Sequence, residues 1–91
     1  MDIKKDVKRR YSEIDNYMNT LLGNYTEFGT KVNKETLVNT ISNYLSVWFV
    51  GTYLNHIDWR EHSNITNQYM GMFRYLYRTR ISEHWEKINL K

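Results

Sequence analysis

The chain has 91 residues and a net charge of +3, which suits one small domain and is mild for a protein dedicated to nucleic acid. It contains no cysteine, which excludes disulfides, thiolate metal sites and cysteine nucleophiles. It also contains no proline, so long helices are permitted, and we take residues 1–91 as a single helical domain with a modest core.

The first predicted element is an amphipathic helix over residues 3–22. Its apolar residues recur at steps of three and four and fall in one narrow stripe: Ile3, Val7, Tyr11, Ile14, Met18 and Leu21. Gly23 follows at the position where a glycine commonly ends a helix. The pattern therefore predicts a surface helix that buries one face.

A second helix is predicted over residues 34–57, after a loop in which Gly29 is expected to make a turn. Asn33 stands where an N-cap residue belongs. Apolar residues occupy one face along the first half of this helix, and a second apolar face begins half way along, with Val47, Val50, Leu54 and Ile57. A helix with two apolar faces is buried between neighbours, so this segment is predicted to be the central element.

A third helix is predicted over residues 64–89, after a turn at "DWREHS", residues 58–63. Its apolar residues recur at a strict step of four: Ile65, Tyr69, Phe73, Tyr77, Ile81 and Trp85. Since an α-helix has about 3.6 residues per turn, each step of four drifts by roughly 40°, and the stripe wraps more than half way around the helix. Such a helix either crosses its partners steeply or buries different faces in its two halves.

The run "MFRYLYRTR", residues 72–80, places large aromatic side chains next to arginines. The helical period turns four large side chains of this run inward: Met72, Phe73, Leu76 and Tyr77. Arg80 falls close to the same inner face. It either extends along the apolar residues, pairs with a carboxylate such as Glu83, or is moved outward by a distortion of the helix.

These elements predict an all-α fold, a compact bundle of three main helices over about 3–22, 34–57 and 64–89. The C-terminal helix is long: at about 1.5 Å per residue it extends about 39 Å, more than a globule of this size needs. A homodimer is expected, because the second and third helices each carry apolar residues on more than one face.

A second stripe runs along the outer side of the third helix, where Arg74, Arg78, Ile81 and Trp85 are spaced four, three and four. Gly71 extends this stripe and would let another backbone approach closely. Arg and Trp are enriched among interface hot spots. Two interpretations remain open: Ile81 and Trp85 pack inside their own fold, or the stripe binds another chain. The candidate partner-binding residues are Arg74, Arg78, Trp85, Tyr75 and Ile81.

A basic cluster marks the N-terminus and consists of Lys4, Lys5, Lys8, Arg9 and Arg10. Cations at the start of a helix oppose the helix dipole. The cluster either serves an anionic partner, such as a nucleic-acid backbone or an acidic protein surface, or forms a frayed and solvated end. These five residues, with the arginines of the third helix, are the candidate nucleic-acid contacts.

Motifs that indicate catalysis are missing from the sequence. There is no glycine-rich phosphate loop and no serine in a nucleophile-elbow pattern. The segment "HIDWREH" gathers four potential metal ligands, but their spacing matches neither a two-His helical motif nor a di-iron bundle: His56, Asp58, Glu61 and His62. We therefore expect no enzymatic activity, no metal and no cofactor.

The leading hypothesis is a small cytoplasmic protein-binding module that occupies a surface of another protein. Abundant Asn, Ile, Lys and Tyr are typical of AT-rich coding sequence, so an inhibitor of a host or defence protein, encoded by a phage or mobile element, fits the chain. The alternatives are a nucleic-acid-binding protein and a helical phage assembly or immunity-type protein. A membrane protein is not expected, because the most apolar stretch, residues 44–54, is too short to span a bilayer.

Overall fold

The computed structural model describes residues 2–90, which form five α-helices and no strand. The helices are α1 (Ile3–Arg9), α2 (Tyr11–Asn24), α3 (Thr26–Gly29), α4 (Lys34–Tyr53) and α5 (Trp59–Asn89). The long α5 packs along α4, while α2 lies against α4 and α3 against α5. The predicted all-α bundle with three main helical segments and a long C-terminal helix is confirmed. Within residues 2–90, no helix has the length and apolar character needed to cross a membrane.

The first predicted helix is interrupted at Arg10, where φ is −114° and ψ is 23°. The break is a kink, because the Ile14 N–H still donates to the Arg10 carbonyl oxygen at 3.0 Å. Before the kink the Tyr69 hydroxyl of α5 donates to Asp6, and after it α2 packs against α4, while the guanidinium of Arg10 itself lies 3.9 Å from the centre of the Tyr53 ring of α4. The two sides of the kink are thus attached to different helices, which a local sequence pattern does not report.

The second predicted helix starts where expected and ends early. The Asn33 side chain accepts a hydrogen bond from the Thr36 N–H at 2.8 Å, which confirms the predicted cap, but α4 ends at Tyr53 and not at residue 57. Its central position is confirmed, since α2 and α5 bury both of its apolar faces. Val47 is the exception: it is 50% exposed, because no other helix within residues 2–90 covers that side of α4.

The third predicted helix begins earlier than expected and is unbroken. Asp58 is its N-cap and accepts a hydrogen bond from the Arg60 N–H at 2.9 Å, so "DWREHS" starts the helix instead of preceding it. The helix continues through Arg80 without a distortion, and five residues along it are buried: Thr66, Tyr69, Phe73, Tyr77 and Ile81. The expected wrapping stripe is therefore present, and it faces α4, α2 and the short α3 in turn.

Aromatic rings form the centre of the core. Phe49 of α4 is fully buried, with its ring centre 4.8 Å from that of Tyr69 and 5.8 Å from that of Phe73 on α5. Tyr53, one helical turn after Phe49, places its ring 5.0 Å away. Because the sequence has no alanine, these large rings fill the space between α4 and α5 that small residues fill elsewhere.

Candidate protein-binding surface

The predicted stripe on α5 does not form a continuous exposed surface. Ile81 is fully buried, so the expectation that it contacts a partner is wrong. Trp85 is half-buried, and its indole N–H donates to the carbonyl oxygen of Val32 at 2.9 Å. For these two residues the structure shows packing inside their own fold, because α5 lies over α4 and the segment that precedes it.

The two outward arginines of the stripe also bond within the chain. Arg74 donates to the side-chain oxygen of Asn39 at 3.2 Å, and Arg78 pairs with Glu35. Both contacts join α5 to the first half of α4. Their side chains remain exposed, and an exposed ion pair contributes only about 0–1 kcal/mol, so both arginines stay accessible to a partner.

Tyr75 behaves differently from the rest of the predicted partner-binding set. Its side chain is 83% exposed, and it makes no hydrogen bond or ring contact within residues 2–90. It lies on the edge of α5 that faces α1, whereas Arg74 and Arg78 lie on the edge that faces α4. The five candidate partner-binding residues, although close in sequence, thus lie on different sides of α5, and one of them, Ile81, is buried.

An open apolar groove runs between α1 and α5. We call it the α1–α5 groove, and its lining residues are Lys4, Val7, Lys8, Tyr11, Met72, Tyr75 and Leu76. Its volume is about 290 Å³. Met72 is half-buried and Leu76 is 42% exposed, although the helical period turns both inward. The prediction that Leu76 is turned inward is wrong, because Leu76 lines this open groove.

The N-terminal cations contribute unequally to this groove. Arg9 pairs with Asp6 at 2.7 Å, and Arg10 lies over the Tyr53 ring, so both have partners inside the chain. Lys4 and Lys8 stand on successive turns of α1 and border the groove, while Lys5 is exposed away from it. No acidic residue is among the described residues that line the groove. The groove is therefore apolar inside and basic along one edge.

Arg80 is held by carboxylate and amide groups of α2. It pairs with Asp15 and donates to the Asn19 side-chain oxygen at 2.5 Å, so pairing with a carboxylate was a correct alternative but Glu83 is not the partner. A second cleft of similar volume, about 290 Å³, lies beside it and mixes both charge signs, with Asn19, Leu22, Arg80, Glu83, His84 and Lys87. Arg80 in this cleft is already paired with Asp15 of α2, so we assign the cleft to holding α2 on α5.

The "HIDWREH" residues are used for structure. Asp58 caps α5, and the neighbouring Arg60 guanidinium lowers the pKa of its carboxyl group below the ordinary range by hydrogen bonding. Within the part of the chain that the structure describes, no group of three or more His, Cys, Asp or Glu side chains is placed to hold a metal ion. His84 lies with its ring nitrogen 3.4 Å from the Thr26 hydroxyl and packs α5 against α3.

Gly71 does not serve a close helix approach inside the chain. A Cβ added there would meet no atom within 4 Å, and its φ is negative, so replacement by alanine is unstrained. We expect Gly71→Ala to raise the free energy of unfolding by about 0.5–1 kcal/mol, because alanine favours the middle of a helix. Urea unfolding followed by circular dichroism measures this change.

Gly29 is the control position for the unfolding measurement on Gly71→Ala. Gly29 ends α3 in the predicted turn, where the Thr30 N–H donates to the Glu27 carbonyl oxygen at 3.2 Å, and its φ is negative. A Cβ at Gly29 would lie 2.7 Å from Cδ1 of Ile88. Gly29→Ala is therefore expected to give none of the stabilisation seen at Gly71. Loss of stability in Gly71→Ala would contradict the open space around that residue.

No protein-family model matches the chain, and neither curated protein sequences nor solved structures contain a match to it. The functional interpretation therefore rests on the geometry of this chain, in particular on the α1–α5 groove and the two lysines beside it.

Proposed function

We propose that the chain is a non-enzymatic protein-binding module whose working surface is the α1–α5 groove with Tyr75 beside it. The observation that carries this proposal is an apolar groove that the fold leaves open, next to the Tyr75 side chain, which is 83% exposed and makes no hydrogen bond or ring contact within residues 2–90. Exposed apolar surface with a polar edge is typical of protein-interaction sites. Tyr is also among the residues enriched at hot spots.

The narrower role of an inhibitor, encoded by a phage or mobile element and directed at a host or defence protein, rests on chain size and composition. A helical assembly or immunity-type protein would use the same kind of surface. Both roles require a protein partner in the groove. A test of peptide binding in the groove therefore applies to both roles.

An unbiased peptide-display selection tests the proposed surface. The wild-type chain is the target, and each selected peptide is then measured against Leu76→Glu, which places a charge in the groove wall. The matched control is Trp59→Glu, an apolar-to-acidic change at an 82% exposed position in the first turn of α5. We expect peptides that bind wild type and the control equally and lose roughly 10-fold or more in affinity for Leu76→Glu, since one desolvated anchor contributes 1–2 kcal/mol or more.

Two results would contradict this proposal. Selected peptides that bind Leu76→Glu as tightly as wild type would show that another surface is used. Selected peptides that lose affinity for Trp59→Glu instead would move the working surface to the first turn of α5. Circular dichroism of both variants confirms that the helical fold is retained.

Nucleic-acid binding is the alternative, and one observation favours it: Lys4, Lys5 and Lys8 are all exposed on α1. Two others weaken it, because Arg9 and Arg10 have partners within the chain and because Arg74 and Arg78 lie on the edge of α5 away from α1. Titration with a labelled DNA duplex and an RNA, from low to near-physiological salt, separates the functions. Tight binding at low salt that is lost as the salt concentration rises would favour nucleic-acid binding.

The homodimer stays a prediction, and the outer face of α4 is where we place it. Residues 36–53 carry no charged side chain, and Tyr44 and Val47 on this helix are 42% and 50% exposed. Two copies can bring such faces together without opposing charges. Light scattering at tens of micromolar should show a dimer for wild type and a monomer for Val47→Glu, and a monomeric wild type would remove the prediction.

A further inference from the structure

We propose that the occupant of the α1–α5 groove is an amphipathic helix of a partner protein, with carboxylates beside its apolar residues. This inference rests on the proposed function and specifies the chemistry of the partner. Three properties of the groove lead to it: the helical nature of both walls, the lysines along one edge and the shape of the apolar floor. Each excludes a different class of occupant.

The helical walls specify the partner's backbone. Both sides of the groove are α-helices, and residues 2–90 contain no strand whose edge could pair with an extended peptide. The N–H and C=O groups along a helix interior are bonded to each other, so the groove offers a partner no main-chain hydrogen bonds. A partner segment must satisfy its own backbone groups, and a helix laid into the groove does so.

The lysines specify the partner's charge. Lys4 and Lys8 are four residues apart on α1, both are exposed, and both border the groove. No side chain that lines the groove within the described residues supplies a negative charge to compensate them. Carboxylates four residues apart on a partner helix can meet both ammonium groups. A partner with basic edges would be repelled by the same pair.

The apolar floor specifies the partner's anchors. Val7, Met72 and Leu76 form a concave surface, and the volume of about 290 Å³ is at the lower end of the ~300–1,000 Å³ typical of small-molecule sites. That space admits a few side chains of a partner. Apolar residues at steps of three and four along a helix present such a row of side chains on one face.

Other occupants fit these properties less well. A second copy of the chain placed symmetrically over the groove would present the same lining, and no carboxylate among the described lining residues could meet Lys4 and Lys8. An anionic membrane surface would satisfy the lysines, but a bilayer does not fill a concave site between two helices. A nucleic acid would leave the apolar residues of the groove floor without an apolar contact. The acidic-edged helix alone matches both the floor and the charges.

The experiment uses labelled helical peptides of about 16 residues, or four turns. All share one row of Leu and Phe at steps of three and four, and the residues beside that row are Glu in one peptide, Gln in the second and Lys in the third. Fluorescence anisotropy with the full chain measures each dissociation constant. We expect the Glu peptide to bind about 5- to 10-fold more tightly than the Gln peptide and the Lys peptide to bind most weakly. Added salt should reduce these differences.

Variants of the protein locate the effect. Lys4→Glu with Lys8→Glu should reverse the order of the three peptides, and both positions tolerate acidic residues because they are exposed. The matched control, Lys5→Glu with Lys31→Glu, changes net charge equally at exposed positions outside the groove and should keep the wild-type order. Equal binding of all three peptides, or a control that reverses the order as well, would overturn the inference.

The two proposals fail in distinguishable ways. If display selection yields groove-dependent peptides that are basic or extended, the proposed function stands and the acidic helix is wrong. If no groove-dependent peptide is found and the Glu peptide does not bind, both are wrong. Sedimentation with anionic vesicles and with neutral vesicles is the remaining arm. Binding to anionic vesicles that Leu76→Glu abolishes, without binding of the Glu peptide, would assign the groove to a membrane surface.

Discussion

Replacement of Phe49 by alanine should lower the free energy of unfolding by about 3–5 kcal/mol, the usual cost of removing a buried aromatic ring. Phe49 is fully buried and its ring contacts those of Tyr53, Tyr69 and Phe73, so the substitution leaves a cavity where α4 meets α5. A domain of this size has about 5–15 kcal/mol of total stability. The variant should therefore be only marginally folded, as measured by urea unfolding.

Two further variants keep this prediction testable if Phe49→Ala fails to fold. Phe49→Leu retains most of the buried volume and should lose markedly less stability, roughly 1–2 kcal/mol. Tyr75→Ala removes an equally large side chain that is 83% exposed and should change stability by less than about 0.5 kcal/mol. Similar losses at positions 49 and 75 would contradict the arrangement of the core.

Alkaline pH should unfold the chain, because two buried tyrosines resist ionisation. The pKa values of Tyr69 and Tyr77 are raised well above the ordinary 10.0, chiefly because burial would strip a phenolate of water. The negative charge of Asp6 adds to the effect at Tyr69. Above pH 10 the unfolded chain therefore loses these protons while the folded chain keeps them, so the unfolded state binds fewer protons and stability falls as pH rises.

The expected slope is about 1.4 kcal/mol per pH unit for each of these tyrosines. Below pH 10 both states hold the protons, and this contribution to stability is fully present. Unfolding titrations between pH 9 and 12 measure the slope, and Tyr69→Phe or Tyr77→Phe should each reduce it by about half. A wild-type slope that neither substitution changes would contradict the burial of these hydroxyl groups.

Periodicity predicted the helices well and their ends less well. The Asn33 cap was recognisable because one residue satisfied both the spacing and the capping chemistry. Asp58 was missed as a cap since Ser63 and Asn64 suit that role equally, and the first turn of α5 begins with Trp59, which is 82% exposed and gives no signal of burial. A hydrophobic pattern does not mark a helix start that lies in solvent.

Exposure of an apolar residue depends on how many neighbours the chain can supply. Val47 belongs to an apolar face by periodicity, yet no helix within residues 2–90 covers it. Leu76 is likewise left 42% exposed, because no side chain within residues 2–90 fills the groove between α1 and α5. Both outcomes follow from tertiary contacts between residues distant in sequence, and a local sequence pattern does not show such contacts.

The candidate surface was predicted only in part. Tyr75, a candidate partner-binding residue from the sequence, is exposed, but Trp85 bonds to Val32 and the outward arginines bond to α4, all through long-range contacts. The groove itself left one recognisable signal: Lys4 and Lys8 are four residues apart, as are Val7 and Tyr11, so all four fall on one side of the helical pattern over residues 4–11. Identifying its opposite wall required the structure.

The most direct measurement is a map of amide chemical-shift changes in the isotope-labelled chain on addition of the Glu-edged helical peptide, or of the tightest peptide from display selection. Use of the α1–α5 groove predicts that the largest changes fall in residues 4–11 and 72–76, which form its two walls. Changes confined to the outer face of α4 or to the first turn of α5, with both walls unaffected, would contradict the groove as the working surface.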